Sequence, residues 1–152
     1  MAEGQSTPAF APSSELRRGE PAIVAKYYEF LKWVKQHVSK FPRHERYTFG
    51  QRIEDQAIDI LRDLIVASYL RDKVEALQKT NRDLEVLRYF LRLCKDFNLI
   101  NLRQYQYAME QLLDIGQQLG GWIKSTSAKA SAYAKATADE TADKQQQPGR
   151  RT

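Results

Sequence analysis

The sequence has one cysteine, Cys94, and two histidines, His37 and His44, among its 152 residues. A lone cysteine excludes an internal disulfide and fits a reducing cytoplasm. Two histidines on different segments offer no cluster of metal ligands, and the Glu-x-x-His pattern of dimetal carboxylate bundles is missing. Gly116, Gly120 and Gly121 are not followed by Gly-Lys-Ser/Thr, and no strand pattern precedes them, which excludes a phosphate loop and a dinucleotide fingerprint. No apolar run approaches the roughly 18–20 residues of a membrane span, and the N-terminus lacks a secretory signal. Nor is there a period-two alternation, so no sheet is expected. These absences leave catalysis without a recognisable constellation, and neither a cofactor nor a metal is expected.

What remains is a chain that is 42% apolar and 28% charged, the composition of a soluble globular domain. Composition shifts twice along it. Residues 1–21 hold three prolines and almost no aliphatic side chains beyond Leu16. Residues 125–152 place Ala at every second position from Ala128 to Ala138 and end in a Gln-rich, Pro-Gly-containing stretch. Neither end has enough apolar surface to offset its ordering entropy, so both are expected to be flexible. Residues 22–124 form the expected domain. Its 17 basic and 13 acidic residues leave +4 of the chain's net +5. An excess of this size permits a nucleic-acid partner without demanding one.

The domain reads as helix four times. Ile23, Tyr27, Phe30, Leu31, Val34 and Val38 recur at spacings of three and four on one helical face, and Pro42 closes that segment. Thr48 and Gln51 form a candidate capping box for a second helix. Its stripe continues through Ile53, Ala57, Ile60, Leu61 and Leu64, with an end expected near Leu77. Thr80 or Asn81 is the expected cap of a third helix carrying Leu84, Leu87, Leu91 and Cys94, and Asn98 ends it. Asn101 and Gln104 open a fourth with Tyr105, Ala108, Met109, Leu112, Ile115, Leu119 and Ile123 as its stripe. Short connections make neighbouring helices antiparallel, which predicts an all-α, up-down-up-down four-helix bundle.

Several features have bland readings. Cys94 sits on an apolar stripe and reads as a small core residue. Asp55, Asp59 and Asp63 form an acidic row opposite the apolar face and read as solvated. Gly116 and Gly120, four apart on a helix, allow another backbone to come close. The fourth helix has only Arg103, Glu110 and Asp114 as charges between Leu102 and Ile123, which points to cover by another subunit. The basic residues are more informative. Arg88, Arg92 and Lys95 fall within roughly 60° of arc, and Arg43, His44 and Arg46 crowd the first turn beside Lys40 and Arg52. Such a set can meet phosphates through charge and guanidinium forks, or simply solubilise the bundle.

Three segments carry a family resemblance: Pro42-Arg43-His44, Leu87-Arg88-Tyr89-Phe90-Leu91-Arg92, and Ile115-Gly116 through Gly120-Gly121-Trp122-Ile123. In this order and spacing the chain resembles the Avd proteins, accessory variability determinants of diversity-generating retroelements. It is also similar to the related four-helix bundles of the ribosomal-RNA intervening-sequence type. The first resemblance implies a homopentameric barrel with a positive surface that associates with a reverse transcriptase and with RNA or DNA. It supports error-prone cDNA synthesis without being a polymerase. It carries a partner-binding role onto Arg88, Arg92 and Arg43, whereas Lys95, Arg46 and Arg52 join them on the patch argument alone. Glu45 departs from the basic character of the turn. The second resemblance implies an RNA-related or structural role with no reverse transcriptase partner.

Overall fold

The computed structural model describes residues 19–145. Helix α1 (Ala22–Val38) starts behind Pro21, whose extended backbone sets the chain's entry. Its buried face is Ile23, Val24, Tyr27, Phe30, Val34 and Val38. After a tight turn, Pro42 starts a second continuous helical segment. It comprises α2 (Arg43–Glu45), a π-helical turn (Arg46–Gly50) and α3 (Gln51–Tyr69). Helix α4 (Val74–Asp96) and the long α5 (Leu102–Gln145) follow. No strand occurs among the described residues.

The four long helices close a square, with α1 and α4 each packed beside α3 and α5. Short links make successive members antiparallel. The apolar stripes meet along the axis, where Tyr27, Ile53, Ile60, Leu64, Leu84, Leu112 and Ile115 are fully buried. The same side chains that recur at helical spacing in the sequence therefore supply the hydrophobic stabilisation.

Each seam of the square also carries a polar cross-link. Between α1 and α3, the Tyr27 hydroxyl donates to the Ala57 carbonyl at 2.7 Å, and Lys35 approaches Glu54 at 3.4 Å. Between α1 and α5, Lys26 pairs with Asp114. Between α3 and α4, Lys79 reaches Asp63 at 2.7 Å and Gln56 donates to the Asp83 carbonyl at 3.0 Å. Between α4 and α5, Arg88 donates to the Leu112 carbonyl at 3.0 Å.

Helix boundaries differ from the sequence reading in three places. Thr48 does not cap the second helix, which starts earlier, at Arg43; its hydroxyl donates back to the His44 carbonyl, and Gln51 bonds Asp55 instead. The helix stops at Tyr69 rather than near Leu77, and Leu70 is extended. Residues 70–73 break the helix without a glycine or proline, so the usual punctuation is absent. Thr80 is consequently inside α4, fully buried, with its hydroxyl on the Ala76 carbonyl one turn back. The cap of α5 matches its expectation: Asn101 and Gln104 exchange reciprocal bonds at 2.8 and 2.9 Å. Asn98, with φ of 57°, ends the preceding helix in the left-handed region.

The Ala-rich stretch expected as a flexible tail is helical as far as Gln145. All side chains from Ala128 to Gln145 are exposed. Alanine's high helix propensity, not packing, accounts for this extension. The expectations for residues 1–18 and 146–152 lie outside the described residues.

Asp63 corrects the reading of the acidic row as a solvated face. Its side chain is only 16% exposed and receives Lys79 and Arg62. Burial pushes its carboxyl up, but the hydrogen bonds from Lys79 and Arg62 outweigh that and hold it below the ordinary carboxylate range. A lowered folded-state pKa contributes stability above the unfolded value of about 4, and that contribution disappears as pH falls through the lower folded value. Asp63→Asn is therefore expected to cost about 0.5–1 kcal/mol at pH 7, and less below about pH 4. Urea unfolding of both proteins at pH 7 and pH 3 checks this; an equal cost at both would show that Asp63 acts by packing alone.

Candidate nucleic-acid and partner interface

Three of the six predicted basic residues come together along the α4–α5 seam. Residues 88, 92 and 95 fall on the side of α4 that faces α5, next to the buried line of Leu84, Leu87 and Leu91. A shallow groove of about 220 Å³ runs there, lined by Glu85, Arg88, Tyr89, Arg92, Tyr105 and Met109. Lys95 stands at its Tyr105 side, with its ammonium 4.8 Å from the ring centroid.

The two arginines of this groove are not equivalent. Arg88 is only 26% exposed, and its guanidinium is engaged twice within the protomer. One nitrogen meets Glu85 at 2.5 Å and the other donates to the Leu112 carbonyl of α5 at 3.0 Å. It lies over Gly116, where an added Cβ would sit 2.7 Å from the Arg88 nitrogen. The glycine expected to admit another backbone thus admits a guanidinium. Gly120 and Gly121 face open space. Arg92, one turn on, is exposed and has no hydrogen bond or ion pair among the described residues. It is the cation of the pair that is free to meet a partner.

Arg43, Arg46 and Arg52 form a second group on α2, the π-helical turn and the start of α3. Arg43 and Arg52 are exposed; Arg46 donates to the Phe41 carbonyl at 3.4 Å and lies over the Tyr47 ring. The turn is held by Gly50, where a Cβ would meet buried Val38 at 2.9 Å and the Glu45 carbonyl at 3.2 Å. Phe49 packs edge-on against Phe90 with ring centroids 6.0 Å apart, on the α3 side of α4. No hydrogen bond, ion pair or cation–π contact joins this group to the groove among the described residues. The two sets of basic residues sit on different elements, Arg88, Arg92 and Lys95 on α4 and Arg43, Arg46 and Arg52 on α2, the π-helical turn and α3. Glu45 pairs with His44 at 3.2 Å, which lowers the positive potential of the second group.

Residues 22–126 match the profile of the bAvd-like family. The chain belongs to the bAvd-like family, that of the bacterial accessory variability determinants. A search among curated proteins found no match to the chain. The matched span covers α1 to α5 as far as the core reaches, and leaves the exposed Ala-rich part of α5 outside the bAvd-like region.

Sequence reasoning missed the groove's other walls. Tyr89 is 59% exposed and carries no periodic signal, while Tyr105 of the apolar stripe packs against the core and also lines the groove. A larger cleft of about 770 Å³ opens near the end of α3, lined by Val24, Tyr28, Leu61, Ile65, Tyr69 and Trp122 among others. Among the described residues, Lys73 is the only cation that lines it. No group of three or more His, Cys, Asp or Glu that could hold a metal occurs among the described residues. No helix among them is long and apolar enough to cross a membrane.

Proposed function

We propose that this bAvd-like protein is a non-enzymatic accessory subunit of a diversity-generating retroelement. It binds the element's reverse transcriptase and its template RNA or cDNA through the basic surfaces beside α4, supporting mutagenic cDNA synthesis in the cytoplasm. The observation that carries this reading is the exposed, unpaired Arg92 beside the anchored Arg88 on a bundle of this family. Arg43 contributes from the second basic group. Assembly as a homopentamer would use the charge-poor outer face of α5, where Leu102, Tyr107 and Leu113 are exposed in the protomer. Repeating a core of +4 five times concentrates about +20 on one particle, enough to steer a polyanion towards it.

Binding measured between about 50 and 200 mM salt, with RNA and with the reverse transcriptase encoded beside it, tests the reading. The expected result is RNA affinity that falls with salt, and co-purification of the polymerase. Arg92→Ala should weaken RNA binding and reduce the salt slope by about one, with fold and oligomer intact. Salt-independent binding, or no association with either partner, would overturn the proposal. RNA binding without polymerase association, from a coding sequence lying inside a ribosomal-RNA gene, would favour the intervening-sequence role instead.

A further inference from the structure

We infer that the α4–α5 groove is a single-strand site, in which an unpaired base lies against Tyr89 and Tyr105 while its phosphate meets Arg92. This rests on the nucleic-acid part of the reading above and adds the class of nucleic acid. At about 220 Å³ the groove is below the roughly 300 Å³ at which pockets begin to enclose whole small-molecule ligands. It suits one planar group inserted from a longer chain.

Its walls have the chemistry for that group. Two tyrosines, Met109 and Arg88 are among the residues that line the space. Aromatic rings and guanidinium planes stack on any base whose face is free. A base inside a duplex has both faces covered by its neighbours, so the same surface discriminates against paired nucleic acid.

The groove is also ordered in advance. Lys95 lies over the Tyr105 ring at 4.8 Å and fixes one wall. Glu85, the Leu112 carbonyl and the gap at Gly116 fix Arg88 as another. Side chains already held lose less freedom when a ligand arrives. Tyr89 remains exposed on the open side, where a base can reach it. Charge then sets the direction of the strand's backbone. Glu85 partly neutralises Arg88 and repels a phosphate at its end, and Asp96 partly neutralises Lys95 at 3.6 Å, so the unpaired Arg92 is the cation that attracts one.

Fluorescence anisotropy with a labelled RNA of about 12 nucleotides, single-stranded or annealed to its complement, tests the assignment. The wild-type protein should bind the single strand at least about tenfold more tightly. Tyr89→Ala should weaken single-strand binding about 5- to 100-fold and leave duplex binding unchanged, while Tyr89→Phe, which keeps the ring, retains both. Arg92→Ala should weaken both. Equal affinity for the two forms with Tyr89→Ala silent would overturn the single-strand site and leave nucleic-acid binding standing. Failure of the wild type to bind either form would remove the underlying reading as well. If Tyr89→Ala altered oligomer size or polymerase capture but not RNA affinity, the groove would belong to a protein partner and the assignment would fall.

Discussion

Tyr27→Ala is expected to lower folding stability by about 3–5 kcal/mol, and Tyr27→Phe by only about 0.5–1.5 kcal/mol. The Tyr27 ring is fully buried between α1 and α3, with Phe30 beside it at 6.1 Å between centroids. Removing the ring leaves a cavity in the centre of the α1–α3 seam, and helices held at both ends cannot collapse into it. The hydroxyl matters less. It donates to Ala57 at 2.7 Å, but that carbonyl also belongs to the ladder of α3 and is not orphaned by Tyr27→Phe. Burial raises the phenol far above its ordinary range, so it remains a donor wherever the protein is folded. Urea unfolding of the three proteins separates ring from hydroxyl. Equal losses in the two variants would mean that the hydrogen bond, not the packing, holds the seam.

Cys94 is expected to react with a thiol reagent at pH 8 at least about a thousandfold more slowly in the native protein than in denaturant. The side chain is fully buried on α4. Burial pushes its thiol up to about 12 from an ordinary value of 9.0, which by itself reduces the reactive thiolate about a thousandfold. Steric exclusion of the reagent adds to that, leaving reaction through opening of the bundle. Stopped-flow labelling with and without urea reads the ratio directly. Comparable rates would place Cys94 at the surface and undo its reading as a core residue.

The bundle was legible because its core obeys a simple period. Tyr27, Phe30 and Val34 on α1, and Leu84, Leu87 and Leu91 on α4, are buried where spacings of three and four place them. The cap at Asn101 and Gln104 was legible for a similar reason, since a reciprocal side-chain pattern leaves a mark four residues long. Residues 70–73 left no such mark. The chain turns extended at Leu70, an exposed residue, with no residue there that cannot be helical, and nothing in the structure explains the break. Thr80 misled because a hydroxyl suits both a helix cap and a carbonyl one turn back, and only burial distinguishes them.

The interface was half legible. Periodicity put Arg88, Arg92 and Lys95 on one side of a helix, and the groove confirms that they share it. What one helix cannot reveal is its neighbour. Arg88 is anchored because α5 presents a carbonyl and a missing Cβ at the same height, and those belong to Leu112 and Gly116, 24 and 28 residues away in sequence. Two arginines that look identical along α4 therefore have different duties.

The length of α5 bears on how that groove is felt from a distance. Met109 lies in the groove and Lys129 in the exposed part of the same helix, 20 residues on, which is about 30 Å of helix. At physiological salt an ionic atmosphere about 8 Å thick surrounds each charge, so that separation is between three and four atmospheres deep. The charges on α5 from Lys129 to Lys144 are therefore largely screened at the groove of the same protomer. The bundle and its projecting arm can change independently: residues may be gained, lost or inverted in sign along the described arm without altering the electrostatic potential at Arg92.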